Sequence, residues 1–143
     1  MDQQNKAKGR NFLKVTGILM IIGGALGILI YLIAIAGAAA ITAGLGGNGL
    51  AVGIVAVAIA IGAVGSVLEL IAGIIGVKNN NRPEKAVTCL VWGIIVAALS
   101  VLSAILSLSG GKSFGDVIPS LLSGLVIPVL YIIGASLNKK QAQ

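Results

Sequence analysis

Four long apolar stretches fill almost the whole chain, and they decide what it can fold into. They run from Phe12 to about Thr42, from Leu50 to Val77, from about Glu84 to Leu108 and from Val117 to about Leu137. A bilayer core about 30 Å thick is crossed by about 20 apolar residues in a helix. Each stretch is long enough; the first is broken only by Lys14 near its start, and Glu69 alone places a charge well inside one. The composition agrees: 57% of the 143 residues are hydrophobic and 10% are charged, against roughly 25% charged in an ordinary soluble domain. A soluble globular domain and a disordered chain are both excluded.

Helices are the only spanning structure that this pattern fits. A membrane barrel needs short strands that alternate apolar and polar residues, whereas these runs are apolar on both parities. Without water, a helix satisfies its own backbone groups. The connections GLGGNG, KNNNRP and SGGKSFGD are short, and short connections join antiparallel neighbours. The expected fold is all-α: a single four-span domain over residues 1–143, a membrane four-helix bundle running up, down, up and down.

Local signals mark the helix ends. Asn79, Asn80 and Asn81 take turn conformations readily and end the second span. Pro83 suits a first helical turn, and Glu84 suits the positive end of the dipole. Ser109-Gly110-Gly111 closes the third span, and Asp116 is the expected N-cap of the fourth. At Pro128 the missing N–H leaves the Gly124 carbonyl without its helical donor and predicts a kink.

Lys and Arg give the orientation. Lys6, Lys8, Arg10, Lys14, Lys78, Arg82, Lys85, Lys139 and Lys140 fall on one side of four spans, and only Lys112 falls on the other. By the positive-inside rule both termini are cytoplasmic. The net charge of +6 follows from that topology and from contact with anionic headgroups. It calls for no nucleic acid. The expected setting is a plasma membrane. The basic start, apolar run and Ala38-Ala39-Ala40 also suit a cleaved signal peptide, but the run exceeds the usual length of its apolar region, so the first span is expected to be retained.

Reactive chemistry is sparse. With no His and a single Cys, Cys89, neither a His-based catalytic site nor a Cys/His zinc site can be built from this chain. No catalytic residue, cofactor or metal is expected. Gly44, Gly46 and Gly49 have the spacing of a dinucleotide fingerprint, with Glu69 in place of its acidic partner. That motif belongs between a strand and a helix, so here it is read as a glycine turn. Cys89 is expected to be a small packing residue.

Glu69 is the candidate polar site. An ionisable residue inside a span is costly and marks function by default. It lies about eight residues, roughly 12 Å, before the end of its span. Gly62, Ser66, Glu69, Gly73 and Gly76 recur at three and four and share a face, so Glu69 is expected to meet another helix. Lys14 and Tyr131 are the candidate partners. Small residues let membrane helices approach closely. The expected packing positions are Gly23, Gly27, Gly62, Ser66, Gly73, Gly76, Gly93 and Gly124.

The segment ELIAGIIGVKNNNRPEKAVTCLVWGII, followed by LSVLSAIL, resembles that of small bacterial four-span proteins of unassigned function. More distantly it is similar to tetraspan proteins of the MARVEL and membrane-spanning four-domain types. The resemblance implies an integral membrane protein with both ends inside and no catalytic residue. Small multidrug transporters also have four spans and an embedded Glu, but theirs lies in the first span and Glu69 in the second.

The function expected from the sequence is a non-enzymatic membrane scaffold or accessory subunit, packing through Gly, Ser and Ala faces. The lipid bilayer is its first partner, and a homo-oligomer and a partner membrane protein both stay open. The alternatives are a small proton-coupled transporter that uses Glu69 and a holin-like permeabilising protein.

Overall fold

The computed structural model describes residues 8–45, 49–109 and 113–141. Four helices make up the fold: α1 (Arg10–Leu45), α2 (Gly49–Asn79), α3 (Ala86–Ser109) and α4 (Phe114–Lys139). A single 3-10 turn, Pro83–Lys85, leads into α3. All four are long and apolar enough to cross a membrane. The chain is thus an all-α bundle of membrane-length helices.

The packing inverts that of a water-soluble bundle. Large apolar side chains face outward: Ile33 is 73% exposed and Ile30 62%. The interior is made by residues that bring backbones together. A Cβ on Gly73 would stand 2.6 Å from the Gly17 carbonyl oxygen, and one on Gly24 would stand 2.7 Å from that of Ser66. Lipid is as apolar as leucine, so burying large side chains gains little there, while close backbone packing gains dispersion contacts.

These glycines also set the register. Gly17 lies on Gly73, Gly24 on Ser66 and Leu70, and Tyr31 against Gly62. Numbers rise on α1 as they fall on α2, so the pair is antiparallel. Gly93 against Tyr131 and Ile132, then Gly124 against Ser100, give the same sense for α3 and α4. Each helix contacts its sequence neighbours, and α4 closes on α1.

The two hairpins, α1–α2 and α3–α4, meet around Tyr131. Its ring lies between two glycines of different helices: a Cβ on Gly76 would collide with it, and one on Gly93 would come within 2.8 Å. Its hydroxyl donates to the Ala72 carbonyl at 2.7 Å. Leu13, Met20, Cys89 and Pro128 are fully buried in the same half of the bundle.

Helix ends differ in part from expectation. The turn after α2 is built by its asparagines: Asn79 donates to the Ile75 carbonyl at 3.0 Å, and Asn80 donates to that of Val77. The fourth helix, however, starts before Asp116. Ser113 occupies the cap position without a side-chain cap bond, and Asp116 falls in the first turn. There its charge still favours the positive helix end. The glycine turn expected over Gly44–Gly49 is narrower than that: Gly44 belongs to the last turn of α1 and Gly49 opens α2, while 46–48 lie outside the described residues. As expected, α3 ends at Ser109, and 110–111 lie outside the described residues too. Helical structure continues through Ala38–Thr42 to Leu45.

Candidate functional site

Glu69 sits on the face of α2 that its three- and four-residue spacing gives, and that face meets α1. A Cβ on Gly23 would lie 3.1 Å from a Glu69 carboxyl oxygen. The missing side chain at Gly23 leaves room for the carboxyl at this contact. One turn further along, the Ser66 hydroxyl donates to the Gly62 carbonyl at 3.1 Å and fills the space over Gly27.

The structure does not bring Glu69, Lys14 and Tyr131 together. Lys14 is exposed and lies nine residues before Gly23, about 14 Å along the helix. Tyr131 spends its hydroxyl on the Ala72 carbonyl instead. Among the described residues, no hydrogen bond or ion pair joins any two of the three. The physical cause is register: with Gly17 seated on Gly73, Lys14 stands near the basic end and Glu69 deeper in the bundle.

Each expected packing position faces a neighbouring helix. Gly23 meets Glu69, Gly27 meets Ser66, Gly62 meets Tyr31 and Gly73 meets Gly17 and Ile21. Gly76 and Gly93 enclose Tyr131, and Gly124 lies near Ser100.

At Pro128 the bundle repairs its own defect. Proline at this position cannot donate to the Gly124 carbonyl, four residues back. Ser100 of α3 supplies the donor: its hydroxyl is shared between Gly124 O at 3.3 Å and Val96 O at 3.1 Å. The orphan acceptor inside the membrane segment is thereby satisfied.

A second polar cluster was not expected from the sequence. Asn138 of α4 is fully buried. Its Oδ1 accepts the Gly9 N–H at 2.8 Å, and its Nδ2 donates to the Asn80 carbonyl at 2.9 Å. One amide thus ties the start of α1, the α2–α3 turn and the end of α4. Nearby, the Lys8 N–H donates to Gln141 Oε1 at 2.6 Å. Gly9 permits the approach, since a Cβ there would collide with the Gly134 carbonyl oxygen. The signal was present in the sequence: Tyr131, Gly134 and Asn138 follow helical spacing on one face.

Other chemistry is limited. The Cys89 thiol is buried and free, and it contacts the Ile75 carbonyl at 4.0 Å. Among the described residues, no three His, Cys, Asp or Glu side chains gather as a metal would require. An apolar hollow is lined by Ala63, Val64, Val67 and Leu68, all on one side of α2, and it offers no polar group to a ligand. Comparison with protein families, characterised proteins and solved structures finds no match to this chain. The four-span layout therefore rests on the helices themselves, and no family is assigned.

Proposed function

We propose that this protein is a non-enzymatic membrane scaffold or accessory subunit. One observation carries this reading: four interior hydroxyl and amide donors are spent on backbone carbonyls. Tyr131, Ser66, Ser100 and the Asn138 amide group all donate to carbonyls of α2, α4 or the α2–α3 turn. Those of Tyr131, Ser100 and Asn138 run between segments and hold helices in place, and little is left to act on a substrate. The outward faces are apolar along their length, which suits lipid, a second copy of the chain, or another membrane protein. On this reading the basic end faces the cytoplasm of a bacterial-type cell.

Crosslinking in membranes followed by purification in mild detergent tests it. The expected result is a stoichiometric complex, either with itself or with one other membrane protein. Recovery of the crosslinked chain only as a monomer overturns the scaffold reading.

The carboxyl of Glu69 favours a second reading, proton-coupled transport. It lies within a span, opposite Gly23, with no hydrogen bond or ion pair among the described residues. Glu69→Gln separates the two. In vesicles carrying the purified protein, the scaffold reading expects no proton flux for the substitution to abolish. It also expects stability to change by less than about 0.5 kcal/mol, because no partner is lost. Proton uptake that is present in the native chain and absent in the variant would establish transport.

A further inference from the structure

The Asn138 amide does more than join helices: it gathers the basic segments of the chain. Its bonds reach Gly9, between Lys8 and Arg10, and Asn80, between Lys78 and Arg82. Lys139 and Lys140 follow Asn138 directly. Three segments remote in sequence thus deliver their cations to one end of the bundle. Of the described acids only Glu84 is at this end, and among the described residues no ion pair neutralises the cluster. Arg10 is held against the protein, with its Nε enclosed and without a hydrogen-bond partner.

Several of these cations stand above an outward apolar row. Lys8 stands in the turn just before α1, whose first outward side chains, Phe12 and Val15, are 47% and 57% exposed. Lys78 lies one turn beyond the exposed Ile74, and Lys140 is in line with Ile133 and Val129, also exposed. A charge above an apolar wall matches a molecule with an anionic head and hydrocarbon tails. Free phosphate, nucleic acid and an acidic peptide have no use for the wall. We propose that this end of the bundle is a binding crown for anionic phospholipids, with phosphate groups on the Lys and Arg side chains and acyl chains along the outward rows.

Native mass spectrometry of the full chain in mild detergent tests the crown. The probes are phosphatidylglycerol and phosphatidylcholine with identical tails. The native chain is expected to retain phosphatidylglycerol at least tenfold more strongly. Each cation near a membrane surface contributes about fivefold in affinity for anionic lipid, so removing three lowers it about a hundredfold. The variant is Arg10→Gln/Arg82→Gln/Lys139→Gln, checked for unchanged helical content by circular dichroism. If it fails to fold, Lys8→Gln/Lys78→Gln/Lys140→Gln, confined to exposed side chains, decides the matter with the same expected loss. Lys112→Gln is expected to bind as the native chain does. Equal retention of the two lipids, or undiminished binding by the folded triple variant, overturns the proposal. So does displacement of phosphatidylglycerol by inorganic phosphate at equal concentration, which would reveal a site for the free anion.

Discussion

Ser100 and Pro128 show how a single polar residue is placed in a membrane helix bundle. A serine hydroxyl within a span satisfies itself on its own helix, as Ser107 does on Ser103. Ser100 also has such a bond, to Val96, yet it is directed toward the one carbonyl that Pro128 deprives of a donor. The two residues compensate one another, so their effects on stability should be coupled. Ser100→Ala is expected to cost about 1 kcal/mol in the native chain, because an acceptor is left unsatisfied in an apolar setting. In a Pro128→Ala background residue 128 regains an N–H, the Gly124 carbonyl regains its helical donor, and the same serine substitution should cost close to nothing. Unfolding of the four chains of this cycle in mixed micelles measures the coupling. Equal costs of Ser100→Ala in the two backgrounds would mean that the hydroxyl does not serve the proline gap. Tyr131 follows the same logic of placement. Its single hydroxyl reaches a carbonyl, while its ring fills the space that Gly76 and Gly93 leave open.

Helix lengths carry a consequence of their own. With 36 residues, α1 is about 54 Å long, whereas the 24 residues of α3 give about 36 Å. The second fits a bilayer core of about 30 Å with little tilt, and the first does not. Gly9, Asn80 and Asn138 hold the helices level at the basic end, so the excess of α1 must emerge at the other end. In a Cys89→Ala background, Ala40→Cys is therefore expected to react with a membrane-impermeant maleimide. It should do so from the side opposite to that which labels Lys140→Cys. Protection of Ala40→Cys from both sides would instead place the whole of α1 within the bilayer. The existence of these helices was legible from the length of the apolar runs alone, because a run either spans or does not. Their starts were less so: Phe114 and Gly115 are apolar enough to belong to α4, which begins three residues before the expected Val117. The face of Glu69 was legible as well, since small residues at three and four mark a contact. Which partner it would meet was not. That depends on the axial register between α1 and α2, set by the seating of Gly17 on Gly73, and a spacing within one helix does not encode an offset between two.

At the scale of the molecule, the bundle is two glycine-packed hairpins fastened at one end. In the sequence Asn138 has the surroundings of a solvated tail, beside Lys139 and Lys140. Only the folded chain brings Gly9 and Asn80 to it, across more than fifty residues in each case. The fastening makes a specific demand. Asn138→Leu removes one acceptor and one donor together, leaving the Gly9 N–H and the Asn80 carbonyl without their partner at a buried junction. Each orphaned group costs about 1–3 kcal/mol. Contacts within each hairpin, from Gly17 on Gly73 to Gly93 on Tyr131, are untouched by the change. The hairpins should therefore persist as helices while their common end loosens. Cysteines at Lys8 and Gln141, whose backbone and side chain are in hydrogen-bond contact, report on that end. In a Cys89→Ala chain the pair Lys8→Cys/Gln141→Cys is expected to form a disulfide readily. Adding Asn138→Leu should slow its formation at least fivefold, with helical circular dichroism unchanged. Undiminished crosslinking would shift the fastening role to Tyr131, whose ring and hydroxyl join α4 to α2 about two turns deeper, and a loss of helical signal would show that the hairpins cannot stand without the junction.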